Sequence, residues 1–255
     1  MDDVLKIENL SFSYGKKQII NDCSCQLKVG RIYVLLGKNG VGKTTLFKCI
    51  LKQNPIQEET IYIFESDITK LSIHDFSRKV AYVPQLSSME NYDILVRDYL
   101  VQGRTPYIKT FGVPSKDDYI ISLKYSKLSG VDGILDSSLS ELSGGQLQMV
   151  NITRALVQET PLIVMDEPLS ALDIPNQIKV LSLIEELASS GKTILLSSHN
   201  PNHAIYLNAD VLLMKDGCFL ACGSSKMLFT STLLSKTYCC DVNVYEVDGK
   251  KIISI

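Results

Sequence analysis

The feature that most constrains this chain is a glycine-rich run between an apolar segment and a helix-forming one. The apolar segment covers residues 31–36, and the run that follows is Gly37-Lys38-Asn39-Gly40-Val41-Gly42-Lys43-Thr44. Residues 44–52 then favour a helix. The spacing G-x-x-x-x-G-K-T, placed after a strand and before a helix, predicts a loop that wraps phosphate groups.

Each part of this run suits a phosphate group for a different reason. Glycines let main-chain N–H groups approach phosphate oxygens. The Lys43 ammonium can reach the outer phosphates, and the Thr44 hydroxyl suits a Mg²⁺ ion. The run therefore predicts a site for a nucleoside phosphate.

A second short run, Leu142-Ser143-Gly144-Gly145-Gln146, opens another helix-forming stretch that extends to residue 158. The N–H groups at this helix start would offer a second set of donors to an anion. Ser143 could instead be an ordinary helix N-cap, and this alternative stays open. Each of the two runs would then form half of a phosphate site. We expect each half-site of one chain to be completed by the other kind of half-site from a partner.

Two carboxylates follow another apolar segment, residues 162–165. Four apolar residues in a row are typical of a parallel strand that is buried on both faces, and ligands bind at the carboxyl edge of such sheets. Asp166 is placed there to hold Mg²⁺, and Glu167 is placed to polarise an attacking water.

With these motifs the chain resembles the nucleotide-binding subunits of ATP-binding-cassette (ABC) transporters over nearly its whole length. The further matches, in the family's order, are Tyr14 in Phe12-Ser13-Tyr14-Gly15, Gln85 in Tyr82-Val83-Pro84-Gln85, Asp173 in Ser170-Ala171-Leu172-Asp173 and His199 in Ser197-Ser198-His199. The resemblance implies that Tyr14 stacks on adenine and that Gln85 belongs to the glutamine loop. It also implies that Asp173 lies in a loop crossing a dimer interface and that His199 contacts the γ-phosphate. For Tyr14 and His199, a purely structural role stays open.

The resemblance implies one composite site for ATP and Mg²⁺. Its catalytic residues would be Lys43, Gln85, Glu167 and His199. The ATP contacts within one chain would be Tyr14, Gly37, Lys38, Asn39, Gly40, Val41, Gly42, Lys43, Thr44 and Thr45. A second copy, arranged head to tail, would add Ser143, Gly144, Gly145, Gln146 and Asp173, and Mg²⁺ would be held by Thr44, Gln85 and Asp166.

The resemblance also implies an α/β fold: a P-loop NTPase ABC ATPase core with an antiparallel β subdomain and an inserted α-helical subdomain. Residues 1–255 would form a single ABC ATPase domain, with a core of 1–85 and 159–255 and a helical subdomain of 86–158. Along the chain, the residue pattern predicts strands over 4–14 and 19–29 and a hairpin around Asp248-Gly249. It predicts helices over 93–103, 116–128 and 144–158, and one that starts at Pro175.

Two stretches depart from the family's pattern. Leu147 and Met149 stand where the helix after the second run commonly carries basic residues, which leaves the packing of that helix open. Residues 58–65 lack the glycines often found there, so the turns of the antiparallel subdomain also stay open.

The amino-acid composition limits the classes of partner and the location that we expect for this chain. The 26 Lys and Arg residues nearly balance the 28 Asp and Glu residues, which argues against nucleic acid as the main partner. No apolar run approaches the ~20 residues that span a bilayer. The first residues resemble no secretion signal, and seven cysteines then favour reduced thiols in the cytosol. We therefore expect a cytoplasmic protein on the inner face of the membrane, held there by a partner.

Three stretches narrow the resemblance to ATPases of importers for iron–siderophore, haem or cobalamin: residues 101–107, 199–204 and 234–244. Molybdate importers are similar enough to stay open. The implied partners are transmembrane permease subunits, a second copy of the chain and, indirectly, an extracytoplasmic substrate-binding protein. A cytosolic ABC ATPase of iron–sulfur-cluster assembly is the alternative from another class. DNA-repair ATPases are disfavoured because residues 86–141 are too short for a long coiled coil.

The apolar residues near Gln85 suggest a docking place for the permease. The segment 86–104 contains Tyr92, Ile94, Leu95, Val96, Tyr99 and Leu100, more apolar residues than one helix face needs against its own core. The alternative is that they all serve internal packing.

Overall fold

The computed structural model describes residues 3–85, 93–109, 112–170, 172–247 and 250–254. Its strands are β1 (Asp3–Tyr14), β2 (Lys17–Lys28), β3 (Ile32–Leu36), β4 (Ile61–Ile63), β5 (Ser66–Asp67), β6 (Val80–Val83), β7 (Leu162–Met165), β8 (Thr193–Ser198), β9 (Asp210–Lys215), β10 (Cys218–Ser224), β11 (Asn243–Val247) and β12 (Lys250–Ser254). Its α-helices are α1 (Lys43–Ile50), α2 (Ile73–Ser77), α3 (Val96–Val101), α4 (Lys116–Leu128), α5 (Gly144–Val157), α6 (Ile174–Ser189), α7 (Asn202–Tyr206), α8 (Ser225–Leu228) and α9 (Ser231–Tyr238). Short 3-10 helices cover Gln102–Tyr107, Asp132–Ile134 and Leu139–Glu141.

A six-stranded sheet with the order β10-β9-β3-β8-β7-β6 lies at the centre of the fold. Its strands are parallel except β10, which runs antiparallel to β9. The side chains of β3 alternate between two hydrophobic cores: Val34 and Leu36 enter one, Tyr33 and Leu35 the other. A strand buried on both faces requires a continuous apolar run, which this part of the sequence supplies.

The three strands that carry the predicted motifs are neighbours in this sheet. β3, β8 and β7 pair in parallel, so their carboxyl ends meet at one edge. Gly37 follows β3 at that edge, Asp166 follows β7, and His199 follows β8. The topology therefore brings together residues that lie far apart along the chain.

The smaller antiparallel sheet has the order β2-β1-β4-β5, and it shares a hydrophobic core with α1 and one face of the central sheet. Ile63 of β4 pairs with Ser66 of β5, so Phe64 and Glu65 form a two-residue turn. Both turn residues are left-handed, with φ of 46° and 62°. The turn thus has the backbone form that favours glycine, built here from two other residues.

The described helices between β6 and β7 include α3, α4 and α5, which pack against one another. The structure confirms the predicted helices over 116–128 and 144–158 to within one residue. The helix predicted over 93–103 is shorter. It ends at Val101 and continues as a 3-10 helix, where Pro106 has no N–H group to donate. The division into a core and an inserted helical subdomain remains a prediction.

The segment predicted to offer an apolar docking surface is packed inside this helical region. Val96 and Leu100 are fully buried, and Ile94 and Tyr99 are partly buried against the same core. The Tyr99 hydroxyl donates to Asn151 Oδ1 at 2.7 Å. Internal packing therefore accounts for Ile94, Val96, Tyr99 and Leu100. Leu95 is half-buried and does not pack against this core, and Tyr92 lies outside the described residues, so docking at this segment stays a prediction.

The last elements pack at one end of the central sheet. α9 contacts β9, and the hairpin β11–β12 contacts α7 and α9. Val247 pairs with Lys250, which confirms the predicted hairpin, although Asp248 and Gly249 at its tip lie outside the described residues. None of the helices within the described ranges has the length and apolar character needed to cross a bilayer.

Candidate nucleotide site

The glycine-rich run forms a tight loop between β3 and α1. A Cβ atom on Gly37 would lie 2.4 Å from the Met214 carbonyl oxygen, so any larger residue would push the loop away from β9. Gly42, which caps α1, has a φ of 111°, where side chains are strained. The loop therefore needs these two glycines, and α1 begins at Lys43 with its N-terminus facing the loop.

The Lys43 ammonium lies inside this loop. It donates to the Gly37 carbonyl at 2.8 Å and to the Lys38 carbonyl at 3.3 Å, and it lies 3.8 Å from Glu167 Oε1. Burial lowers the pKa of Lys43, while the carboxylates of Glu167 and Asp166 oppose that shift. A cation held among main-chain groups in this way is well placed to meet a phosphate oxygen.

The two carboxylates at the end of β7 have different surroundings. Asp166 is almost completely buried and accepts a hydrogen bond from Ser197 Oγ at 2.6 Å. Ser197 Oγ in turn accepts from the Glu167 N–H at 2.8 Å. This one hydroxyl therefore fixes both acidic residues from the neighbouring strand β8.

Glu167 lies between two basic side chains. Its Oε1 faces Lys43, and its Oε2 lies 3.4 Å from Nδ1 of His199, which is half exposed. The second histidine nearby is different: His203 accepts from or donates to Ser198 Oγ at 2.9 Å, and burial lowers its pKa to about 4. His203 is therefore a neutral structural residue, whereas His199 faces the site.

A cavity of about 330 Å³ adjoins these groups. It is lined by Ile19, Asn39, Gly40, Gly42, Lys43, Thr44, Thr45, Gln85 and Glu167. Gln85 and the loop, which sequence analysis placed in one site, thus face the same space. A larger cavity of about 650 Å³ lies at the amino ends of β3 and β9 and contains none of the motifs.

Not every predicted ligand lines this cavity. Gly37, Lys38 and Val41 shape the loop through backbone contacts, and Val41 N–H donates to the Lys38 carbonyl at 3.4 Å. Tyr14 lies at the end of β1 with 48% of its surface exposed, held edge-on to Phe12 and hydrogen-bonded to Asn54. An exposed ring at a strand end is not a core residue, so it is free to stack on a flat partner.

The second glycine-rich run lies apart from the cavity. Ser143 caps α5 by accepting from the Gln146 N–H at 3.3 Å, and Gln146 Oε1 accepts from the Ser143 N–H at 2.9 Å. Ser143, Gly144 and Gln146 are exposed. Gly145 faces Asn176 of α6 so closely that a Cβ atom would lie 2.5 Å from its amide nitrogen. Ser143 is therefore the N-cap of α5, and the run presents its surface to solvent.

Asp173 is also exposed, and it caps α6 by accepting from the Asn176 N–H at 3.1 Å. The starts of α5 and α6 meet through Gly145 and Asn176. Ala171 of the same predicted loop lies outside the described residues. One surface thus combines the second run with the residues predicted to cross a dimer interface.

The unusual residues of α5 serve packing. Leu147 and Met149 are buried, as are Asn151 and Thr153, and Thr153 Oγ1 donates to the Met149 carbonyl at 2.7 Å. The helix is enclosed by α3, α4 and β6, so its apolar residues point into a core. This resolves the packing that the sequence left open.

Two residues of the site, Ser197 and Ile19, were not predicted from the sequence. Ile19 lines the cavity because β2 passes beside Gly42, and its carbonyl lies near that glycine. No pattern marks Ile19. The position of Ser197 just before Ser198-His199 at a strand end could have identified it, because residues at that edge face the ligand.

The arrangement is suited to a nucleoside triphosphate and a hard cation. Main-chain donors and Lys43 provide positive charge beside the cavity, and Glu167 provides a carboxylate between Lys43 and His199. The Thr44 hydroxyl, the Gln85 amide and the Asp166 carboxylate are oxygen donors, the type that Mg²⁺ prefers. Asp166 is almost completely buried and does not itself line the cavity, and its Oδ1 accepts from Ser197.

Comparisons with known proteins identify the family to which the chain is related. A profile of the ABC transporter family matches residues 20–170. An iron chelatin transport ATP-binding protein of Helicobacter pylori is 31% identical, covering 98% of both chains. The molybdate import ATP-binding protein MolC of Haemophilus influenzae is 33% identical, covering 93% of this chain and 89% of that one.

A solved structure supports the same relation. An inward-facing metal-chelate type ABC transporter superposes with a TM-score of 0.85 at 29% identity, covering 100% of this chain and 96% of that one. The predicted fold class is confirmed by this likeness. This chain therefore belongs to the ABC transporter family, as one of its ATP-binding ATPases.

Proposed function

We propose that two copies of this chain bind ATP between them, head to tail, and that its hydrolysis drives import of a metal chelate through a membrane permease. One observation carries the two-copy arrangement. The cavity contains the phosphate loop and Glu167, whereas Ser143, Gly144 and Gln146 are exposed elsewhere and do not line it. A second copy could supply the missing donors.

The proposed roles are those that the resemblance to the family implies, and the placement of the loop, Lys43 and Glu167 supports them. The loop from Gly37 to Thr45 and Lys43 bind the phosphates, Tyr14 stacks on adenine, and Ser143, Gly144, Gly145, Gln146 and Asp173 of the second copy close the site. Thr44, Gln85 and Asp166 hold Mg²⁺, which would neutralise phosphate charge. Glu167 orients the attacking water and accepts its proton, and His199 contacts the γ-phosphate.

ATP hydrolysis would open the dimer that ATP binding closes. Water attacks the γ-phosphorus, the bond to the β-phosphate oxygen breaks, and ADP and phosphate remain. Contacts between the γ-phosphate and the second copy are then lost, so the dimer loses the ligand that stabilised its closed form. This cycle of closing and opening is the motion that a permease would convert into transport.

The transported substrate is proposed from the relatives. The Helicobacter pylori relative is named for iron chelatin, and the solved transporter is of the metal-chelate type. Permease subunits and, indirectly, an extracytoplasmic binding protein are the corresponding partners, and the permease would hold the chain at the inner face of the membrane. The MolC relative favours molybdate as a second candidate. Uptake of a ferric chelate rather than molybdate by cells carrying the chain separates the two.

The composite site is tested by mixing two inactive variants. A Lys43→Ala chain lacks the phosphate-loop charge, and a Ser143→Arg chain blocks the second run. In a mixed dimer both lesions meet at one site and leave the other intact. We expect each variant alone to be inactive and an equal mixture to recover about a quarter of the wild-type ATPase rate, because half the dimers have one intact site of two.

The control is a mixture of either variant with a Lys43→Ala/Ser143→Arg double variant, in which every mixed dimer lacks an intact site. No recovery is expected there. Two different affinity tags show whether mixed dimers form. If dimers of Lys43→Ala with Ser143→Arg form but have no ATPase activity, the composite site is contradicted.

A further inference from the structure

The segment Val101–Tyr107, which the proposed function does not use, forms a partly buried connection that we name the clasp. It consists of the end of α3 and the following 3-10 helix. Gly103 lies against α5 so closely that a Cβ atom would come within 2.4 Å of the Arg154 carbonyl oxygen. The clasp therefore touches the last turn of the helix whose first turn carries Ser143.

Arg104 is the centre of the clasp. Its side chain is buried, with Nε donating to Asp118 Oδ1 at 2.9 Å and Nη1 donating to Glu159 Oε2 at 3.0 Å. Nη1 also donates to the Val157 carbonyl at 3.1 Å. One guanidinium thus joins α4 to the end of α5, through geometry that a lysine cannot reproduce.

The clasp also reaches the central sheet. The Tyr107 hydroxyl donates to the Gln158 carbonyl at 3.0 Å, and Gln158 Nε2 donates to the Val80 carbonyl at the start of β6 at 2.9 Å. Arg78 Nε donates to the Pro106 carbonyl at 2.9 Å. The end of α5 is therefore tied on one side to α4 and on the other to the sheet that holds the phosphate loop.

Glu159, the second residue beyond the end of α5, depends on this connection. Glu159 has a φ of 55°, a conformation usually taken by glycine after a helix end. Its carboxylate is bound by Arg104 and, at 3.3 Å, by the Tyr125 hydroxyl. A glycine there would lack these contacts, so the carboxylate accounts for a strained non-glycine residue at this position.

The position of the clasp gives it influence over the second run. α5 has 14 residues and is about 20 Å long, with the clasp at one end and Ser143 at the other. A tilt of about 10° at the clasp would move Ser143 by about 3 Å, whereas a hydrogen bond tolerates only a few tenths of an ångström. The direction of α5 therefore decides whether the second run can reach a phosphate.

We propose that Arg104 is a positioning residue that fixes α5 so that Ser143–Gln146 meet the nucleotide held by the second copy. The inference rests on the proposed composite site. Its particular consequence is that a lesion at Arg104 acts in trans. In a mixed dimer, the altered copy damages the site in which its second run meets the partner's phosphate loop. The other site, in which its phosphate loop meets the partner's second run, is spared.

The test uses Arg104→Met in the full chain. We expect its ATPase rate to fall at least tenfold while the affinity of the isolated chain for ATP stays within twofold of wild type. An equal mixture with Lys43→Ala should recover about a quarter of the wild-type rate. An equal mixture with Ser143→Arg should not recover, because every site then has a damaged second run. Arg104→Lys should lose activity less severely than Arg104→Met.

Matched controls separate the possible outcomes. Arg97 of α3 pairs with Asp136 on the surface, so Arg97→Met should keep wild-type activity. If Arg104→Met does not fold, Glu159→Gln loosens the clasp with little change of shape and undergoes the same mixing. Recovery of ATPase activity in the mixture of Arg104→Met with Ser143→Arg would overturn the inference. So would a mixture of Arg104→Met with Lys43→Ala that stays inactive while the reference mixture of Lys43→Ala with Ser143→Arg recovers activity. Failure of that reference pair would instead count against the composite site.

Discussion

Glu167 combines a strained backbone with a position between two basic side chains. Its φ of 45° is uncommon for a residue other than glycine. The N–H bond to Ser197 Oγ and the burial of Asp166 beside it hold that conformation. Strain of this kind persists where the surrounding structure fixes it, which is typical of residues that act on a ligand.

The same hydrogen bonds yield a prediction for Ser197→Ala. Removing the hydroxyl leaves the buried Asp166 carboxylate without a donor at 2.6 Å and frees the Glu167 N–H. We expect kcat to fall about tenfold, equivalent to ~1.4 kcal/mol, and half-maximal activity to need more Mg²⁺. A Mg²⁺ titration of steady-state ATPase measures both effects.

Ser198→Ala is the matched control for this prediction. Ser198 Oγ bonds Asn200 and His203 but neither acidic residue, so its loss should leave the Mg²⁺ requirement unchanged. Equal Mg²⁺ titration curves for the two variants would show that Ser197 has no special role.

Individual site residues differed in how well the sequence predicted them. Asp166 and Glu167 were placed correctly at the edge because four apolar residues before them require a buried strand. Lys43 was predicted from its spacing to three glycines. The place of Ser197 at the end of a strand indicates only the edge of the sheet at which it lies. Its bond to Asp166 could not be predicted, because that bond depends on β8 lying beside β7.

At the scale of elements, α5 has two unlike ends. Its start is exposed and polar, and from Leu147 to Val157 nearly every residue is buried. The sequence predicted the helix and its limits, because Ser143 and the periodic apolar residues mark them. It did not predict which neighbours enclose Leu147 and Met149, since that depends on how α3 and α4 pack across the chain.

The turn between β4 and β5 gives a prediction about stability. Glu65 has a φ of 62° although left-handed backbone costs about 1–2 kcal/mol for most residues. Glu65→Gly should raise the free energy of unfolding by about 0.5–1 kcal/mol, part of the gain being offset by the greater freedom of glycine in the unfolded chain. Denaturant unfolding followed by circular dichroism measures the change.

Glu58→Gly serves as the control, because Glu58 is exposed and lies outside the positive-φ residues of this region. It should leave stability unchanged or lower it slightly. If Glu65→Gly does not raise the free energy of unfolding and instead lowers it as much as Glu58→Gly does, the turn is not strained.

At the scale of the whole molecule, the two glycine-rich runs lie on different surfaces. The phosphate loop lines the cavity with Glu167, and the second run is exposed at the starts of α5 and α6. The sequence predicted both runs from local spacing. It predicted a partner because neither run alone surrounds a phosphate, but the clasp that fixes α5 depends on contacts between residues about 55 positions apart.

Dimerisation of a hydrolysis-deficient variant tests the central claim, that ATP joins two copies, most directly. Glu167→Gln keeps the shape of the side chain but removes the carboxylate that prepares the water, so bound ATP should persist. Light scattering with ATP and Mg²⁺ should then show twice the mass of the chain, and with ADP the mass of one chain. Adding Ser143→Arg to the same variant should return the single mass while ATP still binds. A single mass for Glu167→Gln saturated with ATP, or a double mass that persists with Ser143→Arg, would contradict the account.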